Sequence, residues 1–521
     1  MKKRLRLLII FIFFGKQNVV FASRDGGNSQ CYQIDTIEIQ GVYSLSQREV
    51  RRIKDTYQGQ CLKLADIKNL VGVITNIYID NGYITTRAYV PEQNLLERKL
   101  IINVYEGMLE NIEHVNGKVF WNNILPLDIG GVVNLRDIEQ GVDNINKTRE
   151  ATIQLKPGEK DGSTIAVIDN KPSKGWSFSS GVDNLGSKNK GRYQSFTNFS
   201  FGNLFSLNES YLFGYRASLD DGNGNKGFTR SYNIVVSGAY KYSNFMLQYN
   251  DASYKTLIST PKNKYLNSGG SKVSKIIVDR VVHRDGKSKS SINIGAGFDD
   301  YSNYIADNKI ETSTYRIRKF DAGIRHQRRL NASSASFNIN FTAGHNLDYY
   351  RMASSMMKTP AKKFTKFNYG FSWILPLGMI SKEQFMKYFL QVNGQYSPKM
   401  LVATEKDTVG GLSSVRGFQD YVENSDNSLI LRNEINVNLP NLSKIGKVLF
   451  GSMDLFGAYD LGKFRNYEDK GIRKGVMSGI ATGIRSSSGY CNVSITVALP
   501  LESPIPINRR KVVYMSVSIN L

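Results

Sequence analysis

Ala335-Ser336-Phe337-Asn338-Ile339-Asn340-Phe341-Thr342-Ala343-Gly344 sets apolar side chains at odd positions and small polar ones at even positions. A period of two belongs to an extended strand whose two faces meet different surroundings. The pattern returns in Phe367, Tyr369, Phe371 and Trp373 against Lys366, Asn368, Gly370 and Ser372. It returns again in Tyr211, Phe213, Tyr215, Ala217 and Leu219, and in Val513, Met515, Val517, Ile519 and Leu521. It dominates residues 175–521, with no helical stretch of comparable size. A soluble sandwich or a β-helix also alternates. Their inner faces pack a core, however, and here the second face is rich in Gly, Ser, Asn and Thr. Lipid outside and water inside suits both faces, so the pattern predicts a transmembrane antiparallel β-barrel. The chain stops inside such a strand, as expected of a barrel that closes on itself. Strands of about ten residues, with their loops, leave room for about 16 strands.

Composition agrees with a barrel. Mean hydropathy is −0.32. No run of about 18 apolar residues follows the N-terminus, which excludes spanning helices from the mature chain. Net charge is +23, from 68 basic and 45 acidic residues. The charges are spread along the chain without a basic block or an aromatic reading motif, which argues against nucleic acid. In a barrel they are expected to line the lumen and the loops that meet anionic lipid headgroups.

The N-terminus reads as a secretory leader over 1–22. Lys2-Lys3-Arg4-Leu5-Arg6 is a basic start, Leu7 to Phe14 a short apolar core, and Val20-Phe21-Ala22 the cleavage site. A segment 23–30 follows. Cys31 and Cys61 then lie in an oxidising compartment, where a disulfide is expected, worth roughly 3–4 kcal/mol by loop closure. Cys491 sits in a strand-like stretch as a small apolar residue. No spacing suits a metal or a cofactor.

Between leader and barrel, residues 31–107 read as strand, helix, helix, strand, strand. Ile34 to Ile39 alternate. Ser46-Gln47-Arg48-Glu49 is a capping box, whose serine and glutamate each satisfy an orphan backbone N–H. Leu45, Val50, Ile53 and Tyr57 follow it at helical spacing. Ile67, Leu70, Val71, Ile74, Ile77 and Tyr78 form one helical face, which stops near Asn81-Gly82. Tyr83–Val90 and Leu100–Tyr105 read as strands. Residues 108–172 repeat the order more weakly. Ile112–Val115 opens the unit, Leu135, Ile138, Val142 and Ile145 form a helical stripe, and Ile153–Leu155 and Thr164–Ile168 are joined by the turn Pro157 to Gly162. Two tandem units form an internal repeat.

These motifs resemble the two-partner-secretion transporters, the ShlB/FhaC/HecB group within the barrel-plus-POTRA superfamily. The first unit carries the resemblance through Cys31-Tyr32-Gln33-Ile34, Tyr57-Gln58-Gly59-Gln60-Cys61-Leu62, Gly82-Tyr83-Ile84-Thr85-Thr86-Arg87-Ala88 and Val90-Pro91-Glu92-Gln93. The second carries it through Asn134-Leu135-Arg136-Asp137-Ile138-Glu139-Gln140-Gly141 and the turn at Pro157-Gly158. The implied architecture is mainly β: two small α+β POTRA domains of order β-α-α-β-β at 31–107 and 108–172, then a barrel at 173–521. In the barrel, Gly410-Gly411 and Val415-Arg416-Gly417-Phe418 are similar to the tip of a loop folded into the lumen, around 405–428. Tyr459-Asp460-Leu461-Gly462 is similar to the wall strand holding that loop's acidic partner.

The pair has a chemistry of its own. An arginine in a confined lumen is a permanent cation that needs a carboxylate, most strongly a bidentate one. Arg416 and Asp460 are therefore expected to form a structural latch, with Gly417 allowing the tight turn and Phe418 packing on the wall. Asp454, in the same run with the same inward parity, is the competing partner.

By resemblance, the partner is an unfolded exoprotein of haemolysin, adhesin or contact-dependent toxin type, which docks on the POTRA domains and threads the barrel, and which in the haemolysin branch is activated on the way. Outer-membrane lipids with lipopolysaccharide, and the barrel-assembly machinery, are the other expected partners. Some relatives carry a plug helix before the first POTRA unit. Only Ser23 to Gln30 stand there in this chain, so no plug helix, or only a vestige of one, is expected. Barrels usually end in an aromatic residue and this chain ends in Leu521, so assembly is expected to be slower at worst. A barrel-assembly factor of the same superfamily is the alternative. Porins lack such periplasmic units, and siderophore transporters need a large plug domain. His114, His283, His326 and His345 are scattered outside any triad or zinc spacing, so no enzyme is expected.

Overall fold

The computed structural model describes residues 31–521 apart from 116–120, 149, 161, 171–174, 220–226, 260–262, 349–359, 382–383, 441–443, 469–470 and 507–509. The leader at 1–22, the segment 23–30 and the expectation of no plug helix lie outside the described residues. No described helix is long and apolar enough to cross a membrane.

The first periplasmic unit packs two helices on a small sheet. Thr36–Gln40 runs parallel to Lys99–Tyr105, which pairs antiparallel with Arg87–Tyr89 at the sheet edge. Helix Gln47–Tyr57 starts at the Ser46–Glu49 capping box. Helix Leu64–Asp80 buries Ile67, Leu70, Ile74 and Tyr78, with Val71 and Ile77 partly buried, and ends where Gly82 takes φ +95°. The alternation from Ile34 to Ile39 conceals a break at Asp35. Tyr32–Ile34 leaves this sheet to pair with Gln60–Leu62, beside the Cys31–Cys61 disulfide. Residues 83–86 form a turn instead of a strand, closed by the Thr86 N–H on the Tyr83 carbonyl.

The second unit has the sheet order Met108–Val115, Ser163–Asn170, Ala151–Pro157. Its first helix is a single turn, Trp121–Ile124. Helix Leu135–Ile145 buries Ile138, Val142 and Ile145 against Leu109, Ile153 and Ile168.

Sixteen long strands then close a barrel. They are β1 (Trp176–Asp183), β2 (Gln194–Gly202), β3 (Glu209–Ser218), β4 (Phe228–Tyr240), β5 (Ser243–Ser259), β6 (Lys264–Arg284), β7 (Ser288–Ile305), β8 (Tyr315–Leu330), β9 (Ser333–Asn346), β10 (Lys363–Met379), β11 (Phe385–Tyr396), β12 (Asn427–Leu439), β13 (Gly451–Glu468), β14 (Gly471–Ser488), β15 (Cys491–Glu502) and β16 (Val512–Asn520). Every neighbouring pair is antiparallel. The seam between β16 and β1 is short, running from Ser516↔Asp183 to Asn520↔Ser179. Leu521 and Phe178 exchange backbone hydrogen bonds beyond it.

Phe337, Ile339 and Phe367 are exposed on the outer face. The inner face is polar: Thr342 donates to Asp321, which also pairs with Lys275 at 2.8 Å. Without a closed ring, edge strands at this depth would leave backbone groups unpaired in lipid.

Candidate functional site

Between β11 and β12, residues 397–426 leave the wall and fold back into the lumen. The wall resumes where Ser428 of β12 stands opposite Gln395 of β11. The loop is therefore longer on its entering side than the expected span around 405–428. Asp407–Val409 and Glu423–Ser425 form a short hairpin stem inside it. Gly410, Gly411 and Gly417 all take positive φ, so the tip turns where side-chain-bearing residues would be strained. A Cβ on Gly417 would stand 2.7 Å from the Pro500 nitrogen.

At the tip, the structure brings Arg416 to Asp460, and both are wholly buried. The Arg416 Nε–H donates to Asp460 Oδ2 at 2.6 Å and Nη2–H to Oδ1 at 2.7 Å. The Arg416 backbone N–H donates to Oδ2 at 3.1 Å. The remaining Nη1 reaches Glu434 Oε2 at 2.6 Å. Glu434 in turn accepts two bonds from Arg485, at 2.8 and 2.9 Å. Arg432 stands 3.8 Å from Asp460 and donates to the loop carbonyls of Ser413 and Leu412. The ring of Phe456 lies under both guanidiniums, 5.5 Å from Arg416 and 3.7 Å from Arg485. A charge buried this deeply needs such complete pairing.

The neighbours of Arg416 in the motif pack it in place. Val415 and Phe418 join Val409, Ile430, Phe464 and Met477 in a small apolar cluster. Gly462 of β13 leaves the room that Val415 fills, since a Cβ there would come within 2.7 Å of it. The Gly417 N–H donates to the Tyr514 hydroxyl at 3.3 Å. Beyond the tip, Arg192 donates to Gln419 and to Asp420, each at 2.5 Å.

The stem has its own ionic anchor on the wall strands that precede the loop. Glu405 is buried between Lys319 at 2.9 Å and Lys366 at 3.0 Å, and Lys319 also meets Asp299 at 2.5 Å. Asp426 holds the exit of the loop, accepting from the Leu401 N–H at 2.8 Å and the Tyr467 N–H at 2.9 Å.

At the other end of the barrel, helix Leu135–Ile145 docks on the short turns. Asn144 Nδ2 donates to the Lys241 carbonyl at 2.7 Å, and Asn208 Nδ2 donates to the Asn144 carbonyl at 2.7 Å. Arg284 reaches Glu139 at 3.2 Å, Gln140 at 3.0 Å and Asp143 at 2.7 Å. Burial pushes the Asp143 carboxyl up, but Arg284 and Lys289 outweigh it and hold it below the usual carboxylate range. Burial pushes the Asp137 carboxyl up by more than the hydrogen bond from Tyr242 pulls it down. In the first unit, burial would raise Glu106. Its bonds from the Ser44 hydroxyl, the Ser44 and Tyr43 N–H groups and the Tyr78 hydroxyl hold it low instead.

Asp454, the competing partner, is placed elsewhere: it accepts from Lys387 at 3.1 Å and from Asn438 at 3.2 Å. Glu434, Arg485, Arg432, Glu405 and Tyr514 stand at the site without having been read from the sequence. Glu434 and Arg485 had one usable signal, a charged side chain at inward parity on an alternating strand.

Comparison with known proteins gives the same architecture. The family model "Haemolysin secretion/activation protein ShlB/FhaC/HecB" matches residues 162–486. A "POTRA domain, ShlB-type" model matches 32–107, and a further POTRA model matches 109–157. The outer membrane transporter CdiB of Escherichia coli is 27% identical over 487 residues, covering 92% of this chain and 80% of that protein. The hemolysin transporter protein ShlB of Serratia marcescens is 25% identical over 414 residues, covering 78% of this chain and 72% of that one. A solved structure of CdiB from Escherichia coli superposes with a TM-score of 0.87 at 26% identity, covering 96% of this chain and 92% of that chain.

Proposed function

Since the chain belongs to the haemolysin secretion/activation family ShlB/FhaC/HecB, we propose that it passes one large unfolded exoprotein, of haemolysin, adhesin or contact-dependent toxin type, and that Arg416 and Asp460 latch its gate. The chain is an outer-membrane transporter of two-partner secretion, with its barrel in the outer membrane and its POTRA units in the periplasm. Members of the family are transporters. That this chain catalyses nothing itself is part of our proposal.

One observation carries the gate: the loop that occupies the lumen is held at tip and stem by charge pairs. Charge pairs break and re-form without covalent chemistry, so a loop so held can give way, and passage of the exoprotein needs a second, displaced arrangement. The exoprotein first meets the POTRA units. The strand Arg87–Tyr89 ends its sheet, with the Tyr89 and Tyr105 rings stacked 5.3 Å apart beside it. An extended segment adds there as a further strand, gaining backbone hydrogen bonds with little demand on sequence. Folding outside the cell then biases movement outward. Lipopolysaccharide around the barrel and the assembly machinery that inserts it are the remaining partners we propose.

The test is deletion of the gene in its host, with the culture supernatant compared by mass spectrometry. One very large protein is expected to vanish, and to return with the wild-type gene but not fully with Arg416→Ala. An unchanged secretome, with several outer-membrane barrels depleted, would identify an assembly factor instead.

A further inference from the structure

Arg318 of β8, His345 of β9 and Lys363 of β10 stand opposite one another in register on neighbouring strands. All three face outward. The alternate positions point inward, where Lys319 meets Glu405, and Asn346 and Phe364 are buried. The same row begins with Phe298 on β7, and the next outward rows below it hold Phe320 and then Phe341 paired with Phe367. Arg318 and Lys363 therefore cap an apolar band with two fixed positive charges.

Their height follows from the strand. Arg318 and Arg328 share the outward face of β8. The stretch between them climbs about 25 Å at ~3.3 Å per residue and ~40° tilt, which is the height of a barrel's apolar band. Arg328 lies toward the POTRA end and Arg318 toward the end carrying the 397–426 loop, so the row sits at the headgroups of the outer leaflet.

Among the described residues, no carboxylate lies in this row. The two in the next row face Arg316: Asp348 is engaged by it through two bonds of 2.7 Å, and Asp300 stands opposite it on β7. Among the described residues, Arg318 and Lys363 form no ion pair, and the buried His345 Nε2 has no hydrogen-bond partner. Lys399 adds a further ammonium, donating to the Lys363 carbonyl at 3.4 Å. Like charges gathered on adjacent strands destabilise a sheet, and more so at the low-dielectric edge of a bilayer.

We propose that Arg318 and Lys363, on either side of His345, form a binding site for the phosphate of an outer-leaflet glycolipid. The guanidinium fork takes two phosphate oxygens and the lysine a third, as phosphate sites require. The acyl chains then run down over Phe298, Phe320 and Phe341. The site rests on the outer-membrane placement of the barrel and is independent of secretion.

The full chain, purified in detergent and checked for a folded barrel by its heat-shifted gel mobility, is titrated with bisphosphorylated lipid A. Binding is expected to weaken by about tenfold or more in Arg318→Gln/Lys363→Gln, a loss of two charge-assisted contacts. It is expected to stay unchanged in Arg328→Gln. Wild-type protein given dephosphorylated lipid A is expected to show the same loss, which keeps the proposal testable should the double variant misfold. Equal binding by the double variant, or by the dephosphorylated lipid, overturns it. So does full competition by inorganic phosphate alone, which would mark a free-anion site.

Discussion

Arg416 separates the worth of a charge from the worth of its geometry. Four of its donors end on two buried carboxylates, counting the backbone N–H. Removing one member of such a set leaves its partner buried and unpaired, at about 3–5 kcal/mol. Arg416→Ala is therefore expected to free the loop, since a shift of that size moves a two-state equilibrium by about two to four orders of magnitude. External protease should then cut residues 397–426 faster on whole cells. Arg416→Lys keeps the charge but loses the fork, so it should resemble alanine more than wild type. If lysine behaves as arginine, the bidentate contact is not what holds the tip. Asp454→Ala is the control: its partly exposed pair with Lys387 should be worth under about 1 kcal/mol, and cleavage should not change. The sequence made Arg416 and Asp460 legible because each lies in a recognisable run. Glu434 was not legible, because Asn433-Glu434-Ile435 reads as any lumen-facing strand. What marks it is a neighbour 18 positions away in the chain.

Elements show where periodicity succeeds and where it fails. The alternation of β9 and β10 was readable because each position reports only its own face. The alternation from Ile34 to Ile39 misled because two sheets share it, and the break at Asp35 leaves no mark on a period-two pattern. The loop stem is invisible for a related reason: Glu405 finds Lys319 and Lys366 only once the barrel wall sets β8 and β10 beside the folded-back loop. Glu405→Gln keeps the shape and removes the charge, leaving two lysines without their shared anion. Larger and more frequent openings than wild type are expected in planar bilayers, and identical conductance traces would refute a role for the stem. The first POTRA unit offers a pH test. Glu106 accepts from the Tyr43 and Ser44 N–H groups at 2.8 Å each and from Tyr78 at 2.8 Å. These bonds hold its carboxyl below the usual carboxylate range in the fold. A lowered folded value stabilises above the unfolded value and is lost as pH falls through the folded one. The unit should thus lose stability as pH falls through and below the ordinary carboxylate range, read by amide exchange of helix 64–80. Glu106→Gln should lose about 1–3 kcal/mol at neutral pH and flatten that slope. A slope unchanged in the variant would assign it to another carboxylate.

At the scale of the molecule, the second POTRA unit is joined to the barrel by polar contacts that no sequence pattern announces. Gln140 and Asn144 interrupt the apolar stripe of helix 135–145, and in isolation they read as its solvent face. They are buried because the β4–β5 turn and Arg284 cover them. The docking matters to transport, since a cargo held at a free-swinging unit gains no alignment with the lumen, whereas one held at a fixed unit is delivered at the barrel mouth. Arg284 is the largest contributor, with three acceptors on one helix. Charge-assisted bonds of this kind are worth about 1.5–3 kcal/mol each, though shared desolvation makes their sum smaller. Arg284→Ala should speed amide exchange in helix 135–145 by about a hundredfold, as expected for a local loss of about 3 kcal/mol. The barrel should keep its heat-shifted gel mobility, because its strand ladder is untouched. The docking should also weaken as pH falls below the ordinary carboxylate range, since Arg284 and Lys289 hold the Asp143 carboxyl below its ordinary value in the docked state and its contribution disappears on protonation. Secretion of the exoprotein should fall in Arg284→Ala while the latch at Arg416 stays protected from protease. Faster exchange with undiminished secretion would mean that the POTRA units deliver cargo without being held to the barrel, and that the docking serves the fold alone.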